Sequence, residues 1–130
     1  MNKLVKEFYL EKGYNCAETM LLLANKDFKL NLDEKHIKMM AGFGGGLCKE
    51  KVCGVITGGI AVLSVMFSGS SILKETTIEF QDKTLKMFSS NDCRDIKSLH
   101  REESNKCANV IDKAYEILKE IILNNKEKTI

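Results

Sequence analysis

Four of the five cysteines in this chain stand where a helix is expected to begin. Asn15 precedes Cys16, with Glu18 three residues after the Asn. Asp92 precedes Cys93, with Asp95 three residues on, and Ser104 lies three residues before Cys107. Cys53 opens a long apolar stretch behind the loop Gly42-Phe43-Gly44-Gly45-Gly46. Asn, Asp and Ser favour N-cap positions because their side chains accept the free N–H groups of the first turn. A helix start is electropositive and favours thiolate, the form of cysteine that ligates metals and attacks disulfides. The pattern therefore constrains both the fold, which must supply several helix starts, and the chemistry.

Proline is absent, so breaks between helices fall to glycine and caps. A first helix is expected at 2–11, followed by Gly13, a second from Cys16 to about 26, and a third at 34–41 behind Asp33. A central helix is expected at about 53–67, the next at 74–88 with Ile78, Leu85 and Phe88 inward, and a short one from Cys93. The last, at 105–123, has the clearest period: Cys107, Val110, Ile111, Ala114, Ile117, Leu118, Ile121 and Ile122 follow i, i+3, i+4, i+7 spacing. No segment alternates as a half-buried strand does. The reading is all-α: residues 1–130 as one helical bundle with a buried central helix at about 53–67.

A chain of 130 residues is long enough to bury a core without disulfide staples. Its 20 basic and 18 acidic residues leave a net charge of +2, too balanced for a nucleic-acid binder. The uncharged stretch from Val52 to Leu73 is the one candidate membrane span. It is interrupted by Gly54, Gly58, Gly59, Gly69 and several serines, which favours a buried helix. No secretory signal is visible in MNKLVKEFYL, so the expected location is cytoplasmic. Thiols stay reduced there, and several cysteines then indicate metal or redox chemistry.

Cys107 and Cys16 lie on apolar helix faces and are expected to point inward. Plain packing is the competing account, since free cysteine behaves as a small hydrophobe. Lys49 and Lys51 shortly precede Cys53, which makes it the best candidate for a reactive thiolate, with Cys16 as its partner. Gly54 and Gly58 leave one face of the central helix nearly bare, either for close approach of a neighbouring helix or for a ligand beside Cys53. Thr57 can donate to a sulfur or ligand. Gly44, Gly45 and Gly46 can form a backbone nest for an anion. The same bare face also suits a homodimer contact. Cys48 makes only a C-x-x-x-x-C pair with Cys53 and stands apart. His36 and His100 read as solvated surface residues.

The segments Asn15-Cys16-Ala17, Gly42 to Gly46, Cys53-Gly54-Val55-Ile56-Thr57-Gly58, Cys93-Arg94 and Cys107 occur together in this order. Together they resemble the redox-active protein family named for a C-GCAxxG-C-C pattern, with Val55 where that family usually has Ala. The resemblance spans about 13–118. It implies a redox role centred on Cys16, Cys53, Cys93 and Cys107. It extends to a domain of certain multihaem cytochromes thought to hold an iron–sulfur cluster, but no C-x-x-C-H is present for covalent haem. Members of that family are associated with transporter genes, so the resemblance also implies a membrane transporter as a partner.

Two redox expectations follow. Either the four thiolates ligate an iron–sulfur cluster for electron transfer to an unknown partner, or two of them cycle between dithiol and disulfide with Cys53 attacking. The alternative class is non-catalytic: a structural zinc site, or purely structural cysteines, in an interaction module.

Overall fold

The strongly apolar run behind Cys53 forms α4, Gly54–Phe67, whose Val55, Ile56, Val62, Leu63 and Phe67 are buried. The computed structural model describes residues 1–126, and among them are seven α-helices and no named strand. α1 (Lys3–Val5) continues as a π-helical turn over Lys6–Glu11, so the first expected helix is real but changes pitch. α2 spans Cys16–Phe28, α3 Glu34–Lys38, α5 Ile72–Phe88, α6 Cys93–His100 and α7 Ala108–Asn125. α2, α5 and α7 pack around α4, which confirms the all-α fold with a buried central helix.

The glycines of α4 explain how closely its neighbours approach. A Cβ built on Gly58 would stand 2.7 Å from the Ala17 carbonyl oxygen, and one on Gly54 would stand 3.0 Å from the Ala17 nitrogen. The bare face therefore receives the first turn of α2, and this crossing sets Cys16 beside the start of α4. Gly59 takes the ring edge of Phe80 from α5.

That slot also corrects the expected face of α5. Ile78 and Leu85 are about half exposed, whereas Thr76, Phe80, Thr84 and Phe88 are buried at i, i+4 spacing. The two threonines are tolerated inside because each hydroxyl donates to a carbonyl of the preceding turn: Thr76 to Ile72 at 3.0 Å and Thr84 to Phe80 at 3.0 Å. Phe80, anchored on Gly59, decides which side faces in.

The period of α7 holds, with Val110, Ile111, Ala114, Leu118, Ile121 and Ile122 buried and Ile117 only partly so. Tyr115 is buried on the same side, and its hydroxyl donates to Asp27 Oδ2 at 2.6 Å, which ties α7 to α2. The apolar run ends where Ser68 caps α4 and Gly69 turns with φ +85°. No helix among the described residues is long and apolar enough to cross a membrane.

Candidate functional site: four thiols at four helix starts

Each of the four cysteines opens a helix. Cys16 and Cys93 are the first residues of α2 and α6, while Cys53 and Cys107 are the N-caps of α4 and α7. The caps differ from one another. Asn15 and Glu18 form a reciprocal capping box around Cys16, with bonds of 2.8 and 2.9 Å. Asn15 also donates to the Met40 and Ala41 carbonyls, which anchors the start of α2 to the glycine loop. Asp92 holds the N-cap position of α6 without a side-chain bond. Ser104 is not the cap of α7, because Cys107 itself takes that place.

A short backbone link sets Cys53 and Cys93 side by side. The Cys53 N–H donates to the Asn91 carbonyl at 2.8 Å, and the Cys93 N–H to the Lys51 carbonyl at 2.6 Å, around an antiparallel bridge between Val52 and Asp92. The glycine loop makes room for it. Gly45, Gly46, Leu47 and Cys48 all have φ between 61 and 64°, one left-handed turn. A Cβ on Gly46 would stand 2.6 Å from Cys93 Cβ, so only glycine can tuck beneath that cysteine.

The four cysteines line one cavity of about 150 Å³. Gly45 and Gly54 also line it, while Gly44, Gly46, Thr57 and Gly58 do not. Gly44 packs on the Asn15 side chain, Gly58 on α2, and the Thr57 hydroxyl donates to the Gly54 carbonyl at 3.2 Å. Cys48 is exposed and outside the cavity, with Sγ 3.8 Å from the Gly42 carbonyl oxygen. His100 is half-buried rather than solvated: Nε2 lies 3.0 Å from the Phe88 carbonyl oxygen and the ring stands edge-on to Phe88. His36 is exposed, and its Nδ1 accepts the Asp33 N–H.

All four cavity thiols are free, and each acts electrostatically on the other three. Among the described residues, no three His, Cys, Asp or Glu side chains are grouped closely enough to hold one metal ion. The sulfurs thus surround a space rather than a point.

Burial raises all four thiols above their ordinary range. It lifts Cys16 well up and Cys53 to about 12. Cys16 keeps some accessible surface because it faces the cavity, yet it lies deep among protein atoms. The Val55 and Gly54 N–H groups partly offset the burial of Cys53, although neither closes a cap hydrogen bond of good geometry. The expectation that Lys49 and Lys51 would activate Cys53 is corrected here. Both lysines are exposed, and burial prevails over any help from them. Cys93 and Cys107 are also raised by burial, but Lys97 and Arg101 oppose it at both.

Four further wall residues were not singled out from the sequence: Tyr9, Ile96, Lys97 and Arg101. The Tyr9 hydroxyl accepts the Cys107 N–H at 3.3 Å, and its own proton favours the Cys107 thiolate. Tyr9 reaches the site from 98 residues away on the π-helical turn, a register that no local pattern announces. Cys93, Lys97 and Arg101 do follow i, i+4, i+8 spacing, so that signal was present within a run that reads as merely charged.

The fold and site together define a class: an all-α protein whose helix starts collect four thiols around one cavity. The family model described as "putative redox-active protein (C_GCAxxG_C_C)" matches residues 14–121, and the chain belongs to that family. No curated protein and no solved structure matches the chain.

Proposed function

We propose that Cys16, Cys53, Cys93 and Cys107 ligate an iron–sulfur cluster and that the protein carries single electrons. The observation that carries this reading is that four thiols from four helix starts line one cavity with space between them. Four cysteines are the usual donor set of such clusters. A lone tetrahedral zinc, at about 2.3 Å from each sulfur, needs a tighter grouping than these side chains have. That spacing puts the structural-zinc alternative behind the cluster. A bound cluster would supply one-electron chemistry. The protein's part is to present thiolates at electropositive helix starts, to exclude water with Ile96 and Gly54, and to hold the Cys107 sulfur with Tyr9.

The electrostatics around Cys93 and Cys107 support a second reading. In it, this pair cycles between dithiol and disulfide, one thiolate attacking a partner's disulfide and the other resolving the mixed disulfide. The partner is thereby reduced to two thiols. Cys93 or Cys107, beside Lys97 and Arg101, suits the attacking role better than the deeper Cys53 and Cys16. In either reading a reducing, cytoplasmic setting and a transporter-linked electron partner fit the chemistry, whereas the bare face of α4 expected to suit a homodimer contact is covered by α2.

Anaerobic reconstitution with iron and sulfide separates the readings. The cluster reading expects iron and acid-labile sulfide in stoichiometric amounts, with a visible absorption band lost in each single Cys→Ser variant of the four. A colourless, iron-free protein that instead equilibrates as a two-electron couple would establish the dithiol reading.

A further inference from the structure

No carboxylate lines the cavity, and its two ionised side chains are both cations: Lys97, half-buried, and Arg101, at its exposed edge. Among the described residues neither is paired with a carboxylate at salt-bridge distance. Glu50 acts on Cys93 from outside the cavity, but its ion-pair partner is Arg94 at 3.9 Å. Four lysines elsewhere do pair with a nearby acid: Lys12, Lys38, Lys83 and Lys119. Two unpaired cations beside four neutral thiols leave a positive field with no carboxylate in the cavity wall to balance it. Cys93, Lys97 and Arg101 stand four residues apart along α6 and its C-cap, so one helix face presents a ligand and both cations together.

We propose that Lys97 and Arg101 are the anion-recognising pair of this site, positioned to balance the negative charge of whatever the four sulfurs hold. The proposal rests on the cluster reading for the identity of that occupant. Four thiolates around a core of two positive charges carry a net charge of about −2, which two cations neutralise. Reduction adds one further negative charge, so the same pair stabilises the reduced state more than the oxidised one. Lys97 and Arg101 are positioning residues in this scheme and ligate nothing.

The test uses the full chain in a Cys48→Ser background, which removes the exposed thiol outside the cavity. Metal-free protein is reacted with two aromatic disulfides, the dianionic dithiobis-nitrobenzoate and the neutral dithiodipyridine. A protein thiolate attacks one reagent sulfur, the S–S bond breaks, an aryl thiolate leaves and a mixed disulfide forms, so no other oxidant is needed. The ratio of the two rates reads the field at the cavity and cancels changes in thiol ionisation. The Lys97→Gln, Arg101→Gln double variant is expected to lower that ratio about tenfold, and Lys97→Arg to preserve it. A ratio unchanged by the double variant overturns the proposal. In reconstituted protein each single Gln variant is expected to lower the midpoint potential, by up to tenfold in the equilibrium or about 59 mV for one electron. An unchanged potential with full iron content removes the charge-balancing role. Failure of the parent protein to load iron sinks the cluster reading alone, because the rate ratio still decides whether the pair recognises anions.

Discussion

Glycine is the residue type on which this site depends most. Gly58 sits under the Ala17 backbone, so Gly58→Ala must push α2 away from α4. Overpacking of this kind costs about 1–3 kcal/mol, and urea denaturation of the metal-free variant should show a loss in that range. The same displacement moves Cys16, so the variant should also bind iron less completely. Cys48 gives the contrast. It is exposed and outside the cavity, so Cys48→Ser should leave iron content unchanged and stability within about 0.5 kcal/mol of the parent. The separation of Cys48 from the other four cysteines was legible from sequence because it lacks a helix start. The glycines were ambiguous there: bareness alone does not distinguish a helix contact from a ligand contact, and here Gly58 serves the first while Gly54 serves both.

At the scale of elements, helix starts carry the site, and their caps differ in what they can lose. Asn15 accepts the Glu18 N–H and donates to two carbonyls of the loop before Gly44. Asn15→Ala should cost about 1–2 kcal/mol, at the upper end for a cap, and should raise the rate at which Cys16 is alkylated in the metal-free protein. Asp92 makes no side-chain cap bond, so Asp92→Ala should cost clearly less in the same denaturation assay. α5 shows where periodicity misled. Ile78 and Leu85 are more apolar than Thr76 and Thr84, but the choice between faces is made by fit, and Phe80 fits the slot over Gly59. Threonine then follows Phe80 inward because a helix lets its hydroxyl bond to the preceding turn.

For the whole molecule, the four buried thiols make stability depend on pH. Cys53 is lifted from an ordinary value near 9 to about 12, and Cys16 is raised as well. In the unfolded chain these thiols ionise near 9, while in the folded protein they still hold their protons. Their contribution is therefore complete below pH 9 and is lost as pH rises from 9 towards 12. Metal-free protein should show a falling unfolding free energy across pH 9–10.5, and Cys53→Ala should flatten that slope. A slope equal to that of the parent would show that Cys53 is not held as a buried thiol. The helical class, the central place of α4 and the four cysteines at helix heads were all legible along the chain, because caps, glycine breaks and the 3.6-residue period are local properties. That those four thiols share one cavity, that Tyr9, Lys97 and Arg101 belong to it, and that Cys53 is the buried rather than the activated thiol came from the packing of the helices. Convergence depends on how closely α2 can approach α4 and on the backbone link between residues 51–53 and 91–93. Those are contacts between distant segments, and desolvation, which sets the thiol chemistry, exists only once they have formed.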